Sequence, residues 1–143
     1  MYDAANLICR ALLSAVFVVL GYLEFVDVTR ITNNPGTKRF AQLLTGSAEA
    51  ATWLGYLIAA VELLGGLAIL LGFKTQWVAG ALVVYIIILT LLVNPFWLEQ
   101  GAAREANQIQ FYKNLAIIGG FLLLAITGAG RYSVDNLIAP VND

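Results

Sequence analysis

The sequence predicts an all-α fold, a four-helix antiparallel transmembrane bundle with an interfacial segment in the first loop. Three observations predict it. Apolar residues make up 60% of the 143-residue chain and charged residues 12%, against roughly 45–50% and about 25% in soluble domains, and the mean hydropathy is +0.81. Four stretches reach the length of about 20 residues that one bilayer crossing needs. Tryptophans bracket those stretches at the depth where interfacial aromatic rings sit.

The spans run over about 5–26, 52–72, 76–98 and 108–128, so 1–143 reads as a single four-span membrane domain. The first lacks the preceding basic residue and the following small-x-small site of a secretory signal, so it reads as a span. Trp53 opens the second, Trp77 opens the third and Trp97 closes it; a helix from Trp77 to Trp97 is about 30 Å long, one hydrocarbon core. Spans 2 and 3 meet across Gly72-Phe-Lys-Thr-Gln76, a tight hairpin with Gly72 as helix C-cap. The connection from Asp27 to Ala51 is the longest. It carries the turn Asn33-Asn-Pro-Gly36 and then Lys38-Arg-Phe-Ala-Gln-Leu-Leu44, which reads as a short helix lying at the headgroups, with a ligand-binding lid as the alternative. It and the polar Glu99–Asn107 segment are expected over the same end of the bundle.

An even number of spans places both termini on one side. Arg10, Lys74 and Arg131 flank that side and Arg30, Lys38, Arg39, Arg104 and Lys113 the other, which weights the termini toward the outside.

Composition also excludes functions. The net charge of −1 implies no nucleic acid or other electrostatic partner. A single cysteine, Cys9, allows no internal disulfide and no dithiol relay. With no histidine in the chain, there is no imidazole metal site, His-ligated haem or His-based nucleophile system. No catalytic residue, intrinsic cofactor or metal ligand is expected. The expected partners are the lipid bilayer and other membrane-protein subunits.

What remains are polar groups at membrane depth, each of which needs a partner or a task. Glu62 is the deepest, on a stripe with Gly55, Ala59 and Gly66 that turns it inward. Span 1 carries Arg10, Ser14, Phe17, Gly21 and Glu24 on one face, and span 4 carries Gln110, Lys113 and Asn114 near its start. Helical rise places Glu62 within about 5–6 Å of depth of both Arg10 and Lys113. The predicted polar cluster is therefore Arg10, Glu62, Lys113 and Asn114, with Glu24, Asn94, Gln110 and Trp97 as secondary members. Three readings stand: a structural ion pair, a pocket for a quinone headgroup or other small polar ligand, and a proton or cation path.

Several pieces, in order along the chain, resemble the DoxX family of small four-span bacterial membrane proteins. They are Arg10-Ala-Leu-Leu-Ser14 with Gly21, Glu62-Leu-Leu-Gly-Gly-Leu-Ala-Ile-Leu-Leu-Gly72, Asn94-Pro-Phe-Trp97, Gln110-Phe-Tyr-Lys-Asn-Leu-Ala-Ile-Ile-Gly-Gly120 and Gly130-Arg-Tyr-Ser-Val-Asp135. Asn94 and Gln110 stand where relatives in that family often carry histidine. The resemblance implies a bacterial inner-membrane subunit of a redox-linked complex that contacts quinone. Beside it stand a structural subunit packed against a larger respiratory or photosynthetic assembly and a small-molecule transporter.

Overall fold

The computed structural model describes residues 2–138. Helix α1 (Tyr2–Val26) is followed by a short α2 (Thr29–Thr32) and by α3 (Pro35–Thr45). A 3₁₀ turn at Ala48–Ala50 leads into α4 (Ala51–Leu71), then come α5 (Thr75–Leu92), a 3₁₀ turn at Phe96–Leu98, α6 (Gly101–Thr127) and α7 (Val134–Ile138). The described residues contain no strand. The fold is the all-helical bundle that composition predicts, and α1, α4, α5 and α6 are each long and apolar enough to cross a membrane. Their outward faces are apolar and uncovered, as lipid contact requires.

The bundle is two pairs. Span α1 packs along α4 and α5 along α6, with fewer contacts between the pairs. Close backbone approach sets the first pair's register. A Cβ on Gly21 would lie 2.6 Å from the Leu63 backbone nitrogen, and one on Gly66 would lie 2.9 Å from the Val18 nitrogen, so the two helices cross through glycine surfaces. Phe17, Ile69, Leu82, Ile86, Phe121 and Leu124 form the buried core, with Phe17 edge-on to Phe121 at 5.3 Å.

The predicted interfacial helix is α3. The Asn34 side chain accepts from Gly36 N–H at 2.8 Å, Pro35 takes the first helical position, and Gly46 at φ 76° closes the helix. Its inner face sits directly on the end of α5, where a Cβ on Gly36 would collide with the Val93 carbonyl. Leu43 and Leu44 point outward. Arg39 pairs with Glu99 at 2.9 Å, joining the long loop to the segment that leads into α6, so both lie over one end of the bundle. Span 3 stops earlier than its hydropathy suggests, at Leu92, because Pro95 has no N–H to continue the ladder. The fourth helix starts earlier, at Gly101, taking in the polar residues before its apolar stretch.

At the other end the turn between α4 and α5 is clasped by the segment after α6. Asp135 accepts from the backbone N–H groups of Lys74 at 2.6 Å and Thr75 at 2.8 Å, and so caps α5 from outside the helix. Partial burial works against its charge. The two N–H groups, the Thr75 hydroxyl and the Arg10 guanidinium outweigh that, and hold the Asp135 carboxyl below the usual carboxylate range.

Candidate functional site

A cavity of about 190 Å³ lies between the two helix pairs. Its walls come from all four spans: Phe17 and Glu24 from α1, Glu62 from α4, Tyr85, Ile86 and Leu89 from α5, and Gln110, Asn114 and Ile117 from α6. Arg30 and Asn34 from the long loop and Asn94 just beyond α5 complete it, so the cavity runs from the loop end of the bundle toward mid-span.

Inside, the polar groups sort into two sets. Glu62 accepts a hydrogen bond from the Tyr85 hydroxyl at 3.0 Å. Glu24 lines the same cavity, and the Gly21–Leu63 contact brings it within one helical turn of the level of Glu62. Oε2 of each glutamate is buried without a hydrogen-bond partner. Across the cavity, buried Asn114 donates to Thr90 Oγ1 at 2.8 Å and accepts from Gln110 Nε2 at 3.3 Å. Two carboxyls, a phenol and two amides thus converge on one space.

The structure brings five of the eight sequence-selected residues to this cavity: Glu62, Asn114, Glu24, Asn94 and Gln110. It places the other three elsewhere. Arg10 is buried at the far end of the pair. It donates to the carbonyls of Ile69 at 3.1 Å and Leu70 at 2.8 Å, and to those of Ala129 and Tyr132. There it satisfies last-turn carbonyls of α4 that have no intrahelical partner. Lys113 is exposed on the outer face of α6. Trp97 stacks edge-on with Phe96 and Phe111 outside the cavity.

The expected ion pair of Glu62 with Arg10 or Lys113 is therefore corrected. The register explains it: Gly21 meets Leu63 and the Arg10 guanidinium meets Gly72, which puts Arg10 about 16 Å along α1 from the level of Glu62. The residue opposite Glu62 is Glu24. Tyr85 and Thr90 were missed by sequence reasoning. The signal for Tyr85 was its position, mid-way along a span and far from either interface, where a buried hydroxyl needs a partner.

Comparison with known proteins decides the family. The SURF4 family model matches residues 41–138, more than half of the chain. The chain belongs to the SURF4 family. It is 37% identical to the inner membrane protein YqjF of Escherichia coli over 95% of this chain and 93% of that protein. It is 31% identical to the inner membrane protein YphA of the same organism over 90% and 86%. The ER-derived vesicles protein ERV29 of Saccharomyces cerevisiae is 33% identical over 52% of this chain and 24% of that protein, so the shared segment is a quarter of the yeast protein. No solved structure matches.

Membership of the SURF4 family corrects the DoxX resemblance. The pieces that suggested it are apolar, glycine-bearing helical text that encodes close packing in any four-span bundle. The redox-linked, quinone-contacting function implied by it falls with it. The names given above are those of inner membrane proteins and of a protein of ER-derived vesicles. What stands is a multi-pass membrane protein with four apolar helices.

Proposed function

We propose that this chain is an inner-membrane binding protein that takes a small polar ligand, or one polar group of a larger one, into the cavity between its helix pairs from the loop end of the bundle. The observation that carries this reading is the cavity itself: about 190 Å³ of space walled by hydrogen-bonding side chains from every span. A bundle with no task for such a space fills it with apolar side chains, because polar groups at membrane depth are costly. Sites in bundles are built in this way, from side chains on facing helices. The volume suits a group no larger than an amino-acid side chain or a few water molecules, each about 30 Å³. The inner-membrane setting comes from the two E. coli relatives, whose names carry it.

Two measurements test it. In a Cys9→Ser background, cysteines placed at Asn94 and Asn114 should react with 2-aminoethyl methanethiosulfonate added to the loop face, and one at lipid-facing Leu122 should not. Native mass spectrometry of protein released from its own membranes should show a small polar adduct that Asn114→Leu loses. An unreactive Asn114→Cys together with adduct-free protein overturns the reading.

A further inference from the structure

We propose that Glu24 and Glu62 hold one proton between them and act as a proton-operated latch on the cavity, joining α1 to α4. This rests on the binding reading above for its role and on the geometry alone for its chemistry. Glu24 and Glu62 both line the cavity, the Gly21–Leu63 contact sets Glu24 within one helical turn of the level of Glu62, and the two carboxyls lie side by side; a carboxylate has no hydrogen to donate. The contact needs a hydrogen, and one shared proton supplies it, as in other carboxyl pairs held at close range. The same proton answers the two oxygens left without partners, Oε2 of each residue. Glu62 Oε1 is already bonded by Tyr85 from α5, which fixes that carboxyl and leaves its other oxygen for Glu24.

The groups around the pair come from every neighbouring element. Tyr85 on α5 donates to Glu62 and is no base at ordinary pH. Asn94 beyond α5 and Gln110 and Asn114 on α6 are neutral. Among the described residues the one cation lining the cavity is Arg30, on the long loop, which also pairs with Asp27 at 3.7 Å. Among the described residues no cation lies within salt-bridge distance of either glutamate. Loss of the proton therefore leaves two like charges side by side with no cation in salt-bridge contact among the described residues. Glu62 is held by Tyr85, so Glu24 is the residue that moves, and Arg30 at the mouth is the charge that draws it. The swing of Glu24 away from Glu62 clears the space between the helix pairs and opens the cavity toward the loop, while the glycine contacts of α1 with α4 stay closed.

Two readouts separate this from the binding proposal. Infrared difference spectroscopy of the protein in lipid should show the C=O band of a protonated carboxyl at neutral pH, disappearing on alkalinisation. Glu24→Gln and Glu62→Gln should each lack the band, because the amide N–H then supplies the hydrogen and the remaining carboxyl ionises. Both variants keep the side-chain shape, and their Tm should no longer fall as the pH is raised. Reaction of Asn114→Cys with the thiosulfonate, corrected for thiol ionisation using Asn94→Cys, should quicken up to about tenfold per pH unit through the transition, as one proton per event requires. It should be flat in both Gln variants. Absence of the band at neutral pH overturns the shared proton even if the cavity is open to the reagent. A band with a pH-independent labelling rate overturns the latch.

Discussion

Replacing Arg10 removes four hydrogen bonds to carbonyl oxygens, two on the last turn of α4 and two on the segment after α6. Arg10→Ala is expected to cost about 3 kcal/mol or more, because bonds from a charged donor are the strong ones and the carbonyls are left without partners. Arg10→Lys should recover only part, since one ammonium cannot reach the set a planar guanidinium fork spans. Thermal unfolding in detergent checks both. Tyr85→Phe removes the donor to Glu62 and should cost about 1–2 kcal/mol, with no change in helix content by circular dichroism. Legibility at this scale was uneven. Glu62, Asn114, Glu24, Asn94 and Gln110 were selected because polarity at membrane depth is visible in residue type, and the structure places them on the cavity. Their partners were not visible, since partnership depends on helix register. Spacing along one helix says nothing about which level of the next helix it meets, and shifting the register by about four turns exchanges Arg10 for Glu24 opposite Glu62.

Helix contacts turn the glycines into a graded test. Gly21→Ala puts a Cβ against the Leu63 backbone, which cannot rotate away, and should destabilise by about 1–3 kcal/mol. Gly80→Ala faces open space within a helix and should be neutral or stabilising by about 0.5–1 kcal/mol in the same unfolding assay. The α5 terminus gives a pH test. The folded carboxyl of Asp135 lies below its ordinary range, so the stability it contributes is complete above that range and is lost as the pH falls through the lowered value. Asp135→Asn should flatten the acid limb of the Tm–pH curve and leave the neutral plateau lowered by about 1 kcal/mol, the worth of a cap. The elements themselves were legible in the sequence: hydropathy marked the four spans, and Lys38–Leu44 marked α3, although the helix starts inside the Asn33–Gly36 turn, at Pro35, and runs on to Thr45. The start of α6 at Gly101 was not, because a helix that emerges from the bilayer loses its apolar signature while keeping its hydrogen bonds.

For the whole molecule, the paired arrangement fixes topology. Protease added to one side of oriented vesicles should cut both the 46–50 link and the 99–100 link, and protease on the other side should cut near Lys74 and Tyr132. Cuts of the first two from opposite sides would refute the bundle as described. The architecture follows from composition alone, since a chain this apolar has few alternatives to a helical bundle. The family did not follow, because packing glycines are common to unrelated bundles, and only comparison along the length of the chain separates them.

The four carbonyls that receive the Arg10 side chain bear on how the protein is made. Synthesis delivers α1 first, and the segment carrying Ala129 and Tyr132 emerges only after the fourth helix has entered the bilayer. Until then the nascent chain holds a guanidinium in the membrane with half of its acceptors missing. A chain stopped after Thr127 stays in that state, and pulse–chase labelling should show it cleared by membrane proteases faster than a full-length Arg10→Leu chain, which carries no such charge. Docking of the segment after α6 on Arg10 would then serve as the signal that the bundle is assembled.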